Sequence, residues 1–148
     1  MLTTGQIDSQ LRGVRYFVGV YSVDQLPVVK SFPATLIVNT DPSSEGGEHW
    51  VAIHLRPGGK VENFCSFGFP PLIPELQHYV NKYGTSSKRY NRCTMQDVNS
   101  TLCGDYCICF VKCTARGVEL PEFVARFATH ALAEDNKSRL TCLMTLSD

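Results

Sequence analysis

The period of the apolar pattern changes once along this chain, and that change limits the fold more than any other feature. Up to about residue 66 the apolar residues come in short β-branched and aromatic runs, at 16–21, 34–38, 50–55 and 61–66. Runs of this length and composition, bounded by Gly- and Pro-containing turns such as Pro57-Gly58-Gly59, read as strands, the last two as a hairpin. Beyond that point the spacing is helical. Leu72, Ile73, Leu76, Tyr79, Val80 and Tyr83 share one helix face, and so do Cys103, Tyr106, Cys107, Phe110, Val111 and Thr114. Gly117 suits a helix C-terminus, and Pro121 suits the first position of a further helix with Phe123, Val124, Phe127, Ala128, Ala131 and Leu132 turned inward. At the other end, Thr3-x-x-Gln6 reads as a capping box for a short helix over 4–13. Residues 41–47 and 82–92 read as connections. Helix, strands, then helices predicts an α+β domain over 1–148, with a small, largely antiparallel sheet flanked by helices.

Lys+Arg and Asp+Glu each number 14, so the net charge is zero, which argues against a chain devoted to coating nucleic acid. Lys82, Lys88, Arg89 and Arg92 nevertheless cluster with no acid between them, and DNA is the partner such a patch would take. No apolar run approaches the ~20 residues of a membrane span. The N-terminus lacks the apolar core of a secretory signal, and neither end carries a lipidation motif. The expected setting is therefore intracellular and reducing, with the seven cysteines as free thiols. Cys103, Cys107, Cys109 and Cys113 spread round one helix with no His among them, which is not a zinc pattern, and no metal is expected.

Four features can carry chemistry. His49-Trp50 opens a strand after a Gly-rich loop. FCSFGF, residues 64–69, ends the next strand. Gln96 lies seven residues before Cys103, and Cys103-Gly104 begins a helix, with Asn99-Ser100 as N-cap candidates. Each has an ordinary structural reading when taken singly. A thiolate at a helix N-terminus, however, is stabilised by the positive end of the helix dipole, so the Cys103 pKa is expected to fall. Gly104 is expected to leave room for a substrate carbonyl.

GGEHWVAIHL, FCSFGFPP and QDVNSTLCGDYCICF, with PATLIVNTDP before them, resemble the adenain-type cysteine proteases. These are the adenovirus maturation protease family, and the likeness is greatest to the proteases of the Polinton or Maverick transposons. The resemblance covers roughly residues 16–115, and the SUMO-specific proteases carry a looser form of the same skeleton. It implies an adenain/SUMO-protease-like core in which His precedes Cys in the chain. It also implies that Cys103 is the nucleophile, His49 its base and Gln96 an oxyanion donor, with Trp50 packed beside the His. The implied task is cleavage of viral or transposon-encoded precursor proteins near Gly-Gly or Gly-x-Gly, inside the host cell or the virus particle, by a monomer. No cofactor is required outright. An activating peptide, disulfide-linked at Cys93, and DNA are the accessories that the family suggests.

The pattern departs at one place. The family's His-orienting carboxylate falls at Cys65. Asp41 lies too early, Glu62 faces the other side of its strand, and Asn63 has the right parity only after a register shift. Three readings stay open: a Cys–His dyad, an enzyme crippled naturally or by engineering, and a different group orienting His49. Two other functions stay open beside the endopeptidase. One is a protease specific for SUMO or ubiquitin-like proteins, and the other is a catalytically impaired, peptide-binding pseudo-protease.

Overall fold

A computed structural model describes residues 2–41, 49–96, 101–127 and 140. It is an α+β fold built on one five-stranded sheet. The strands are β1 (Phe17–Ser22), β2 (Ala34–Asn39), β3 (Trp50–Arg56), β4 (Lys60–Phe64) and β5 (Ser87–Tyr90), and they lie side by side in chain order. β2, β3 and β4 pair antiparallel, as the hairpin signals predict, whereas β1 joins β2 and β5 joins β4 in parallel. The antiparallel core of the expected sheet is therefore flanked by a parallel strand on each side.

Alternation along the strands divides the interior in two. Ile37, Trp50, Ala52 and Phe64 face α1 (Thr4–Leu11) and α3 (Cys103–Thr114), where Ile7, Leu11, Tyr106 and Phe110 are buried. Leu36, Val38, Val51, Ile53 and Val61 face α2 (Pro74–Tyr83), meeting Leu76, Tyr79 and Val80. The Thr3 capping box forms as the sequence predicts, with Gln6 N–H donating to Thr3 Oγ1 at 3.2 Å and Thr3 N–H to Gln6 Oε1 at 2.8 Å. Gly117, at φ +88°, follows α3, and α4 (Leu120–Val124) has a proline in its first turn. Ala128, Ala131 and Leu132 lie outside the described residues, as does most of the 41–47 loop.

Two expectations change. Leu72 is not on the α2 face: the helix begins at Pro74, and Leu72 stands 71% exposed ahead of it. The 82–92 connection also contains β5. Three of its four residues are exposed and none is aliphatic, so it carries no alternation to read; main-chain pairing with β4 holds it in place. No helix among the described residues is long and apolar enough to cross a membrane.

Candidate active site

His49 is the residue immediately before β3, where the antiparallel ladder has just begun. Its carbonyl accepts from the Thr40 N–H at 3.0 Å, which ties it to the end of β2. The imidazole lies against Phe67, ring centres 5.0 Å apart, and its Nε2 is 3.2 Å from Cys65 Sγ. Cys65, the residue expected in place of a carboxylate, therefore touches the imidazole through sulfur. Glu62 is engaged elsewhere. Buried on the opposite face, it pairs with Arg56 at 3.1 Å and accepts the Leu120 N–H at 2.9 Å. Asp41 acts on His49 only as a nearby charge.

Cys65 is fixed by its backbone. The buried Asn91 side chain accepts from the Cys65 N–H at 2.9 Å and donates to the Cys65 carbonyl at 2.6 Å. The chain then turns through Gly68, at φ +75°, whose N–H returns to the Cys65 carbonyl at 2.9 Å. A Cβ on Gly68 would stand 2.8 Å from the Arg92 carbonyl oxygen, so the turn admits only glycine. Burial pushes the Cys65 thiol up, against the pull of the Phe69, Phe67 and Gly68 N–H groups.

Cys103 opens α3 and is buried. The expected fall in its pKa is not found. Burial pushes the thiol up and outweighs the N–H groups of Trp50, Gly104 and Cys103 itself, which pull it down. The helix N-terminus acts in the expected sense, but desolvation of the anion is larger. His49 is lowered, by burial first, with Asp41 opposing. Both shifts favour the uncharged thiol and the uncharged imidazole. No hydrogen bond joins His49 to Cys103 among the described residues; the imidazole is turned to Cys65, and the Cys103 sulfur lies by the N–H of Trp50, the next residue along.

Gly104 also has a different reason from the expected one. A Cβ there would meet Trp50 Cδ1 and Leu2 Cδ1 at 3.3 Å and Ile7 Cδ1 at 3.4 Å, so the missing side chain seats the helix start on the core. Trp50 packs under that seat, its Nε1 donating to the Leu2 carbonyl at 3.2 Å. N-capping by Asn99-Ser100 falls outside the described residues; the residue preceding the helix is Leu102, which makes no side-chain cap.

Gln96 is buried, and its Oε1 accepts from Ser66 Oγ. The neighbouring Met95 donates its N–H to the Ser66 carbonyl at 2.8 Å and accepts from the Tyr106 hydroxyl at 3.2 Å. Residues 95–96 are therefore strapped between the segment after β4 and the first turn of α3. Cys93 stands apart, half-buried on the loop behind Gly68. Lys88, Arg89 and Arg92 line one pocket with Leu120, Pro121 and Val124, and each basic side chain has its own contact. Lys82 lies over the Tyr83 ring, Lys88 donates to Asn81 at 3.0 Å, Arg89 is 4.0 Å from Glu62, and Arg92 lies over Tyr90. Asn91, Ser66 and Thr40 hold the site together and carried no signal in the sequence, because a polar residue in a connecting segment is unremarkable. The described residues contain no group of His, Cys, Asp and Glu able to hold a metal.

No family model matches the sequence, and no curated protein matches it. Among solved structures, the chain shares its fold with the central domain of the uncharacterized Lpg1148 protein from Legionella pneumophila. The TM-score is 0.51 at 12% identity, over 95% of each chain. The ASFV pS273R protease aligns at 25% identity and a TM-score of 0.45 over 72% of this chain, which spans 43% of that protease. The Legionella pneumophila effector protein RavZ aligns at 14% identity and a TM-score of 0.35 over 80% of this chain and 43% of its own.

Proposed function

We propose that the protein is a cysteine endopeptidase of adenain type, with Cys103 as nucleophile, His49 as base and Gln96 as oxyanion donor. The observation that carries this reading is the meeting of three sequence-distant segments. The head of β3 brings His49 to Cys65 at 3.2 Å, and its next residue, Trp50, directs an N–H to the sulfur at the start of α3. With Nε2 turned to Cys65, Nδ1 is the nitrogen that takes the Cys103 proton. The thiolate then adds to the peptide carbonyl, and the oxyanion is met by the Cys103 N–H and the Gln96 amide, whose oxygen is occupied by Ser66. The imidazolium returns its proton to the leaving amine, and water hydrolyses the thioester.

The substrates we propose are viral or transposon-encoded precursors cut near Gly-Gly or Gly-x-Gly, in the host cell or the particle. Peptide coupling at Cys93 and DNA contact through Lys82, Lys88, Arg89 and Arg92 are proposed as accessory features of a monomeric enzyme. An electrophilic Gly-Gly peptide probe tests the core of this reading. It should modify Cys103, and Cys103→Ala should abolish both labelling and cleavage with Tm nearly unchanged. Labelling at Cys107 or Cys113 instead would overturn it. Cys65 supports a second reading, a peptide-binding pseudo-protease: probe and peptide would then bind without turnover in either the parent or a Cys65→Asp protein.

A further inference from the structure

Beside the imidazole, on the α2 face of the sheet, lies a pocket of about 260 Å³. Val51, Ile73 and Leu76 form apolar walls and His49 and Cys65 close one side, while Phe69 and Leu72 stand at the mouth, 61% and 71% exposed. Asn63, on β4, also lines it. Its side chain is 1% exposed, and neither its Oδ1 nor its Nδ2 has a hydrogen-bond partner. Among the described residues no other buried side-chain nitrogen or oxygen is left this way. The contrast with the equally buried Asn91, which uses both ends on the Cys65 backbone, is direct.

An unsatisfied buried polar group costs about 1–3 kcal/mol, so a carboxamide with both ends unmet is kept at a real cost to stability. Water is a poor remedy, because a buried water needs two to four polar partners. Of the other polar side chains on the wall, Thr40 Oγ1 donates to the His49 carbonyl and His49 Nε2 meets Cys65. The occupant must therefore bring a donor and an acceptor side by side. It must also be neutral, since among the described residues no charged group lines the pocket to offset burial of a carboxylate or an ammonium. The rest of it must be apolar, to cover Val51, Leu76 and the exposed Phe69.

We propose that this pocket binds a neutral carboxamide on an apolar stem, paired donor-to-acceptor and acceptor-to-donor with Asn63, whose carboxamide, covered in this structure, turns into the pocket to meet it. A glutamine or asparagine side chain of a polypeptide and a free small amide share this chemistry. The stem packs against the His49 ring. The inference does not depend on peptidase activity.

Phenylacetamide is the probe, with phenylacetate and ethylbenzene as charge and apolar controls, titrated into the full chain by calorimetry and NMR. Phenylacetamide should bind at least tenfold more tightly than either control and should shift the Asn63 side-chain amide resonances. Asn63→Leu should erase the preference for the amide, retain ethylbenzene and leave Tm equal or higher. Equal binding of all three, no binding of any, or an amide preference that survives Asn63→Leu would overturn the proposal. The resonance shift in the unmodified protein decides the matter even if the variant fails to fold. Displacement of the probe by an acetylated Gly-Gln-Gly amide, with the Glu counterpart inert, identifies a polypeptide source; retention of the probe identifies a free amide.

Discussion

At position 65 a thiol stands where the resembling proteases carry a carboxylate, and its effect on His49 can be worked out. A neutral thiol is a weak acceptor and gives the imidazolium little stabilisation. With Cys103 raised and His49 lowered, the thiolate–imidazolium form is a small fraction of the singly protonated pair. The kcat/KM profile of the parent should then be a low, broad plateau, with its acid limb below the ordinary imidazole pKa and its alkaline limb above the ordinary thiol pKa. Cys65→Asp should raise the His49 pKa, which moves the acid limb to higher pH. It should also lift the plateau, on the order of tenfold for every tenfold gain in the imidazole's proton affinity. Identical profiles for the two proteins would show that Cys65 already suffices. Gln96→Ala should lower kcat by roughly 10²–10³ with little change in KM, and an effect confined to KM would reduce Gln96 to a substrate-holding role. At this scale the resemblance brought His49, Cys65, Gln96 and Cys103 forward together, and the structure joins two of them, His49 and Cys65, in direct contact. The direction in which the Cys103 pKa moves was not legible, because it depends on how closely Trp50 and the core cover the thiol.

Elements follow the same division. The β2–β3–β4 core and the apolar face of α3 were readable from periodicity, whereas β5 was not, since Ser87–Tyr90 shows no pattern and is held by its neighbour's main chain. The start of α2 differs from its spacing because Pro74 holds the residue before it, Ile73, in an extended conformation at ψ 129°, so Leu72 and Ile73 continue the apolar pattern but not the helix. Asn91, just past β5, makes the missed strand matter, since it holds both backbone polar groups of Cys65. Asn91→Ala should destabilise the fold by about 2–3 kcal/mol in urea unfolding and lower turnover as well; loss of stability with full activity would mean that Cys65 need not be held. At the other wall of the site, Gly104→Ala sets a helix-propensity gain of about 1 kcal/mol against an overpacking cost of about 1–3 kcal/mol. Leu2, Trp50 and Ile7 are already in contact with the space the methyl would need. The net expectation is a lower Tm.

The molecule as a whole should respond to acid through its interior. His54 is buried on β3, its Nδ1 2.6 Å from Thr35 Oγ1, and burial, followed by the Arg56 charge, lowers its pKa to about 4. A folded pKa below the unfolded value means that the unfolded chain holds more protons between them. Stability should therefore be intact above about pH 6.5 and decline as pH falls toward 4, by up to about 1.4 kcal/mol per pH unit from this group, with His49 adding in the same sense. Urea unfolding between pH 4 and 7 measures the slope, and His54→Asn should flatten it. The thiols give the same molecule a chemical clock. Six cysteines among the described residues form no disulfide, and of these only Cys93 is not buried. An aromatic disulfide reagent should therefore consume one of these thiols promptly. Cys65, Cys107, Cys109 and Cys113 should react only as fast as the parts of the structure that cover them open, so each rate reports the opening of its own region, whereas Cys103, the proposed nucleophile, should answer to the Gly-Gly probe.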